Sequence, residues 1–324
     1  MARHSLVRAT HPERKVMSIR PLVPALVAAV IALPLGAADS VPPNPALHTG
    51  SGQTAGGESS GGPVHSWELP AITVNGQRSE IKEQDLVGSY GQPRWSASRR
   101  FTETRAYVIP EGQIEFEYWL TVEDHPRGES DGARAVKQQY EVEINLPYRF
   151  QVDLYQSYEK EYPQEGADGE NKLSETKFEV RWALADWDQI WGNPTLYAEW
   201  AAVSGDADVA EFKLLLADDL APRWIWAFNA VYEFAVGGDC FRNYEVTGGL
   251  AYALSDSKFS IGVEAKAAWE NTKVDRGDFE NEIIFGLSIQ YRPLNQFHVD
   301  LAIMAGLTDE SPVTKTVMIA GWEF

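Results

Sequence analysis

The sequence predicts an all-β fold, a closed antiparallel transmembrane β-barrel of about twelve strands with a disordered amino-terminal leader. Three observations support this prediction. From residue 113 onward, apolar and polar residues alternate with period two in runs of about nine to thirteen residues, the length of a tilted membrane-spanning strand. Mostly short and mostly longer connections alternate between these runs. Finally, no apolar stretch is long enough to form a membrane-spanning helix.

Residues 1–38 have the organisation of a secretory signal peptide. Basic residues up to Arg20 precede the apolar stretch 22–35, and a run of small residues ends at Ala38. A basic start, a short apolar region and a small-residue exit are typical of a cleaved export signal. We therefore expect cleavage after Ala38.

The next two regions differ from the barrel in composition. Residues 39–66 are rich in Gly, Ser, Pro and Thr and have almost nothing to bury, which predicts a disordered linker. Residues 67–112 show no sustained alternation, and we expect an irregular segment that lies in the periplasm or inserts into the barrel lumen. The transmembrane barrel is then expected to occupy residues 113–324.

Alternating runs between residues 113 and 324 are the expected strands. The runs are 113–122, 138–146, 150–160, 173–183, 195–203, 209–217, 224–236, 244–254, 259–271, 281–292, 297–306 and 316–324. In the first run, Ile114 and Phe116 share one face, and Glu115 and Glu117 share the other. An open sheet edge cannot face hydrocarbon, so strands that cross a bilayer must close into a barrel with the apolar faces outward.

The polar faces of these strands would line the lumen, and they are predominantly acidic. The acidic residues are Glu115, Glu117, Glu141, Glu143, Asp153, Glu159, Glu175, Glu179, Glu199, Glu211, Glu233, Glu245, Glu264, Glu270, Glu282 and Asp300. The basic residues are Lys177, Arg181, Lys213, Lys266 and Arg292. Unpaired carboxylates are too costly to bury in a dry interior, so the lumen must be wet, ion-paired or both.

Two functions are compatible with such a lumen. One is an outer-membrane channel or passive transporter for small solutes, whose acidic lining favours cations or polar solutes. The other is a non-conducting structural or adhesive barrel with a salt-bridged interior, because a lumen of twelve strands can be narrow enough for residues 77–112 to fill it. The formal net charge of -19 argues against nucleic acid as a partner.

The sequence indicates no catalytic residue, cofactor or metal. The barrel region has two histidines, His125 and His298, and Ser260 and Ser288 share the inner face with His298. A barrel hydrolase is the remaining enzyme alternative, and it would need a serine within hydrogen-bond reach of a histidine. Cys240, the single cysteine, lies in a predicted loop without the partners that metal or redox chemistry requires.

The last run alternates and places Trp322 and Phe324 on one face. It resembles the closing strand of bacterial outer-membrane β-barrels, whose assembly machinery reads a carboxy-terminal aromatic residue. The resemblance implies that Trp322 and Phe324 form the assembly signal and that the lipid bilayer and the assembly machinery are partners. It also implies an outer-membrane location with both ends of the barrel in the periplasm, beside the short turns.

Residues 100–117, RFTETRAYVIPEGQIEFE, resemble the start of the barrel in the MetA-pathway of phenol degradation transporter family. In that family a Thr-Glu-Ser-like element and a Val-x-Pro-x-Gly segment precede a glutamate of the first strand. The stretches 102–104 and 108–117 match these two elements. The resemblance implies an outer-membrane transporter, independent of TonB, for small solutes that include aromatic ones.

Overall fold

A hairpin and one helical turn precede the barrel in the computed structural model. The structure describes residues 86–124, 134–163, 168–238, 240–255 and 257–324. The hairpin consists of β1 (Leu86–Val87) and β2 (Gln92–Pro93), and the helical turn is α1 (Arg94–Ala97). The expected signal peptide and linker, and the first part of the expected 67–112 segment, lie outside the described residues. No helix in the described part of the chain has both the length and the hydropathy to span a membrane.

Twelve antiparallel strands form a closed barrel. They are β3 (Ile114–Asp124), β4 (Arg134–Leu146), β5 (Phe150–Tyr162), β6 (Lys172–Ala183), β7 (Thr195–Val203), β8 (Val209–Ala221), β9 (Trp224–Ala235), β10 (Arg242–Ser255), β11 (Phe259–Asn271), β12 (Glu280–Leu294), β13 (Phe297–Gly306) and β14 (Thr314–Glu323). Each strand pairs with the next along the chain, and β14 pairs with β3 to complete the ring. The predicted fold class is therefore confirmed.

The barrel has two distinct rims. The end at which β3 begins and β14 ends is called the terminal rim here, and the opposite end is called the loop rim. Three of the connections at the terminal rim are short: 147–149, 222–223 and 295–296. The strands extend further than the alternation indicates, since β4 begins at Arg134 and β8 ends at Ala221. Alternation fades near the rims because side chains there no longer separate lipid from lumen.

The outer surface of the barrel is apolar. Exposed large apolar side chains on the strands include Phe116, Leu154, Phe178, Phe212, Phe285, Leu287 and Ile303. Aromatic pairs lie near the terminal rim, with ring centroids 5.3 Å apart for Phe150 and Trp182 and 6.1 Å apart for Phe297 and Trp322. An apolar belt edged by aromatic rings matches the hydrocarbon and interface regions of a bilayer.

The inner surface is more apolar than the strand sequences predict. One buried apolar cluster consists of Ile284, Ala302, Met304, Val317 and Ile319 on β12 to β14. These strands are apolar on both faces, so period-two alternation gives no sign of which apolar residues point inward. A strand that is buried on one side and faces lipid on the other has this double-sided pattern.

The connection 184–194 is long for the terminal rim because it carries one tryptophan to each side of the barrel wall. Trp187 is buried, and its ring meets that of Trp95 edge to face at 5.0 Å between centroids. Trp191 is 73% exposed, and its ring centroid lies 5.6 Å from that of Trp226. The loop therefore packs against both the interior and the outer surface.

Candidate functional site

Residues 94–110, called the luminal segment here, lie inside the barrel. The segment runs from the terminal rim towards the loop rim and returns to the start of β3. Its tip is near Glu103, which lies 3.1 Å from Nζ of Lys315 at the loop-rim end of β14. On the return, the backbone N–H of Ile109 donates to Oε1 of Gln151 at 2.8 Å. The barrel wall thus surrounds the segment on several sides.

Arg99 fixes the first part of the segment to the wall. Its Nη1 donates to Oε1 of Glu115 at 2.7 Å, and its Nη2 lies 3.3 Å from Oε2 of Glu143. Burial alone would lower the pKa of the Arg99 guanidinium, but attraction to Glu115, Glu117 and Glu143 raises it well above its ordinary value. Arg99 is therefore a permanent cation inside the barrel.

Arg105 makes the same kind of contact on the returning part of the segment. Its Nη1 and Nη2 donate to the two oxygens of Glu117 at 2.9 and 2.8 Å. Between the two arginines lies Tyr107, whose ring centroid is 3.9 Å from the guanidinium carbon of Arg99 and 4.7 Å from that of Arg105. The hydroxyl of Tyr107 donates to Glu143 at 2.7 Å. Cation–π contacts and charge-assisted hydrogen bonds therefore join Arg99, Arg105 and Tyr107 to the wall carboxylates in one ion-paired cluster.

One carboxylate of the barrel wall binds the backbone at the tip of the segment. Glu264 on β11 accepts hydrogen bonds from the backbone N–H groups of Thr102, Glu103 and Thr104 at 2.9, 2.8 and 3.1 Å. These three residues are the Thr-Glu-Thr element noted in the sequence. Three backbone donors satisfy a buried carboxylate without a basic side chain.

Apolar contacts hold the opposite face of the segment. Trp95, Phe101 and Val108 pack against inward residues of β6 to β10, including Leu215. A Cβ added at Gly249 would lie 2.5 Å from Cδ1 of Phe101, so only glycine leaves room for this ring. The segment is thus attached by ion pairs on the β3–β5 side and by packing on the other.

The described residues form a terminal-rim cavity and a loop-side cavity, and no residue lines both. The terminal-rim cavity has a volume of about 600 Å³, and its lining includes Ala97, Ser98 and Arg100 of the segment. The loop-side cavity has a volume of about 320 Å³, and its lining includes Glu103 and Arg105. The segment therefore contributes to both cavities from different parts of its length.

The loop-side cavity is lined by equal numbers of acidic and basic side chains. The acidic residues are Glu103, Glu123, Glu179, Glu199, Glu211 and Glu245. The basic residues are Arg105, Lys137, Lys177, Arg181, Lys213 and Lys315. Arg105, Lys137 and Lys315 are absent from the basic residues predicted from the strands, and they remove the expected acidic excess from this cavity.

Ion pairs within and between strands surround the loop-side cavity. Lys177 lies 3.1 Å from Glu199, and Lys213 lies 2.7 Å from Glu211. Lys137 pairs with Glu175. On the opposite wall, Lys266 lies 3.1 Å from Glu245 and 3.4 Å from Glu282. Lys137, Lys177 and Lys266 therefore bridge different strands, whereas Lys213 pairs within β8.

Strand register places half of the predicted inward carboxylates, together with Glu280 and Glu323, in one continuous line, called the acidic row here. Each member lies directly opposite the next on the neighbouring strand. From the terminal rim to the loop rim, the members are Glu323, Glu115, Glu143, Asp153, Glu179, Glu199, Glu211, Glu233, then Asn243, then Glu270 and Glu280. Like charges directly opposite one another destabilise a sheet, so the pairing by itself is unfavourable.

Cations from different sources offset the row along its length. At the terminal rim, Arg292 lies 2.9 Å from Glu323. Further along, Arg181 lies 3.5 Å from Asp153 and also pairs with Glu179. The row ends at the loop rim with carboxylates that make no ion pair with any basic side chain in the described ranges. These residues are Glu233, Glu270 and Glu280.

His298 lies within the ion-paired cluster. Its Nε2 lies 2.6 Å from Oε1 of Glu115, and its Nδ1 lies 3.0 Å from Oδ2 of Asp300. The hydroxyl oxygens of Ser260 and Ser288 accept and donate no hydrogen bond within the described part of the chain. The contacts of His298 are therefore those of an ion-pair cluster, and the serine–histidine contact of a hydrolase is missing among the described residues.

The remaining predicted lumen residues also lie on the inner face of the strands. Glu117, Glu141 and Glu143 offer oxygens within 4.8 Å of one another, as do Glu115 and Glu117 with His298. The carboxylates of these groups already face Arg99 and Arg105. Both arginines lie before the first barrel strand, β3, in a segment without period-two alternation. The sequence therefore does not indicate which way their side chains point. Sequence reasoning could have found them only by asking which cations neutralise so many buried carboxylates.

Comparison with known proteins identifies the fold. No family model and no curated protein sequence matches the chain. An outer-membrane channel from Pseudomonas putida F1 is 9% identical, with a TM-score of 0.55 over 69% of this chain and 99% of that chain. The NanC porin is 10% identical, with a TM-score of 0.46 over 65% of this chain and 98% of that chain. The KdgM porin is 10% identical, with a TM-score of 0.45 over 65% of this chain and 99% of that chain. The first of these likenesses shows that the chain has the closed barrel fold of an outer-membrane protein.

Proposed function

We propose that this protein is an outer-membrane channel or passive transporter for small polar solutes, and that the luminal segment closes the passage in the conformation described. The loop-side cavity, lined by ion-paired side chains within an apolar-faced barrel, is the observation that carries the proposal.

The lining supports a polar, zwitterionic or cationic solute. Acidic and basic side chains are balanced around the loop-side cavity, whereas the loop-rim end of the acidic row carries unpaired carboxylates. A mild preference for cations thus remains a prediction, and it applies to the mouth of the barrel. Reversal potentials in a salt gradient measure it, and an anion preference would remove it.

The proposal extends to placement in the envelope. We place the terminal rim in the periplasm, because outer-membrane barrels have short periplasmic turns and longer external loops. Trp322 and Phe324 both point outward at that rim, where they are 43% and 76% exposed. Their exposure is compatible with recognition by the assembly machinery. A Phe324→Ser variant that inserts into the membrane at the wild-type rate would argue against this recognition.

Membership of the MetA-pathway transporter family is also part of the proposal. The stretch that carries the resemblance, 100–117, comprises most of the luminal segment and the start of β3. The loop-side cavity offers Trp119, Tyr155 and Tyr197 as aromatic surfaces among its charges. We therefore favour polar solutes, with aromatic ones as a subset.

A non-conducting barrel is the second candidate. The buried ion pairs of Arg99 and Arg105 favour it, because they hold the luminal segment inside the barrel. The two functions predict different results when the luminal segment is loosened: a channel should conduct more, and a non-conducting barrel should still not conduct.

Planar-bilayer recording separates these candidates. The mature wild-type chain should show small and infrequent current steps, and an Arg99→Gln, Arg105→Gln double variant should show larger and more frequent ones. A folded double variant without conductance would remove the channel proposal and leave the non-conducting barrel. Arg134→Gln, at an exposed ion pair with Asp124 on the loop rim, is the matched control.

A further inference from the structure

The acidic row extends beyond the residues that hold the luminal segment. Glu115 and Glu143 contact Arg99, but Glu199 and Glu211 pair with lysines of the strands. Glu233 follows them towards the loop rim. Attachment of the segment therefore explains only the terminal half of the row. Because directly opposed like charges destabilise a sheet, the other half needs a different explanation.

A buried carboxylate beside the row has capacity for another cation. Glu141 is fully buried, and neither of its oxygens accepts a hydrogen bond from the described residues. Its closest basic atom is Nη1 of Arg105 at 3.6 Å, which is too long for a hydrogen bond. It lies within 4.8 Å of Glu117 and Glu143. A buried charge without hydrogen bonds is costly, and Glu141 receives none, although the Nε–H groups of Arg99 and Arg105 also lack an acceptor among the described residues.

We propose that the acidic row is an extended binding site for linear oligocations, the chemical class of polyamines and short guanidinium compounds. In this structure Arg99 and Arg105 occupy its terminal half in the place of such a solute. The inference rests on the proposed channel function and names the solute class for that passage.

The spacing of the row favours a linear organic cation. Neighbouring strands lie about 4.8 Å apart, so carboxylates that face each other across strands repeat at a similar interval. Amines separated by short alkyl spacers match this repeat. A metal ion instead gathers oxygen ligands about 2.3–2.6 Å from one point, whereas the row distributes them along a line.

The chain itself shows which groups the row accepts. Guanidinium groups of Arg99 and Arg105 bind its terminal half through N–H donors. Ammonium groups of Lys177 and Lys213 bind Glu199 and Glu211 further along. A solute that carries several such groups would reproduce these contacts in sequence, and it would compete with the luminal segment for Glu143.

Calorimetric titration of the full-length mature chain in detergent with spermidine tests the proposal. Spermidine should bind, and a Glu211→Gln, Glu233→Gln double variant should bind it about tenfold more weakly or worse. Neither substituted residue contacts the luminal segment in the described structure. An Asp275→Asn, Asp309→Asn double variant loses the same charge from exposed loop-rim positions, and its affinity should stay within about twofold of the wild type.

A second arm tests the displacement of the segment. Arg99→Gln should raise the affinity for spermidine, because it removes the competing guanidinium. Unchanged or weaker binding by folded Arg99→Gln would overturn the displacement. Equal losses of spermidine affinity in the two double variants would attribute binding to general surface charge and overturn the binding site. Calcium binding at the row without spermidine binding would also overturn it.

The outcomes for the solute class and for the channel are distinguishable. Calorimetry needs no conductance, so spermidine binding in a barrel that never conducts would remove the channel and keep the site. Conductance together with a spermidine affinity that the Glu211→Gln, Glu233→Gln variant leaves unchanged would remove the site and keep the channel.

Discussion

Arg99 and Glu115 face each other through two parallel hydrogen bonds inside the barrel. Nη1 donates to Oε1 at 2.7 Å, and Nη2 donates to Oε2 at 2.9 Å. Both side chains are buried, and Glu115 is the second residue of β3. This bidentate geometry fixes the orientation of the guanidinium as well as its position. The luminal segment is therefore anchored to the strand that directly follows it in the chain.

Substitution of Arg99 by glutamine should loosen the luminal segment. The change leaves Glu115 with only His298 and Glu143 with only Arg105 as a basic partner, and loss of one member of a buried ion pair costs about 3–5 kcal/mol. We expect a lower free energy of unfolding in urea and a higher bilayer conductance. Arg134→Gln should change neither, because its ion pair is exposed. Wild-type conductance and stability in folded Arg99→Gln would contradict the anchoring role.

Substitution of Gly249 by alanine should displace Phe101. The added Cβ would lie 2.5 Å from a carbon of the ring, which is closer than any van der Waals contact allows. Protease cleavage within the luminal segment should become faster as a result. Gly248→Ala is the matched control, because its Cβ would meet only the carbonyl oxygen of Ala227 at 3.9 Å. Equal cleavage rates in the two variants would show that Phe101 can move at little cost.

The two tryptophans of the 184–194 connection should differ in their contribution to stability. Trp187→Ala removes a buried ring that packs on Trp95 and should cost about 3–5 kcal/mol. Trp191→Ala removes an exposed ring and should cost much less when measured in the same lipid vesicles. A double-mutant cycle of Trp187 with Trp95 should give a coupling of about 0.5–1.5 kcal/mol. A coupling near zero would mean that the edge-to-face contact does not hold the segment.

Acid should release the tip of the luminal segment. Burial by itself raises the pKa of Glu103, but attraction to Lys315 and Lys266 outweighs it and lowers the pKa below the ordinary value of 4.5. Because the pKa is lower in the folded state, this carboxylate stabilises docking above its unfolded pKa, and the stabilisation disappears as pH falls through the folded pKa. We expect conductance to rise in that acidic range.

Glu103→Gln isolates this contribution. The variant should already have raised conductance at neutral pH and should show a smaller further rise on acidification. Glu111→Gln, at an exposed position in the turn before β3, should keep the wild-type profile. Superimposable profiles for wild type and Glu103→Gln would assign the acid response to other carboxylates.

The strands could be predicted from the sequence because a bilayer imposes a simple rule on them. Side chains at alternate positions meet lipid, so Phe116 and Glu117 reveal their faces by hydropathy alone. The rule fails where the interior is itself apolar, as at Ile284 and Ile319. It also fails for Trp187, which lies in a connection where no period applies.

The candidate site could not be predicted from the sequence for two reasons. Arg99 and Arg105 lie in an irregular segment, and only tertiary contacts bring them to Glu115 and Glu117. The acidic row depends on register, because a shift by one residue between neighbouring strands would separate Glu179 from Glu199. A single sequence indicates the face of each carboxylate but not which carboxylate lies beside it.

The position of the luminal segment has a consequence for the order of folding. Its contacts with β3 to β5 span few residues, such as the 16 between Arg99 and Glu115. Its contacts with later strands span many more, such as the 190 between Arg100 and Gln290. Contacts that close short loops form before those that close long ones. We therefore expect the early strands to form their contacts with the luminal segment first, and the later strands to close around it before β14 pairs with β3.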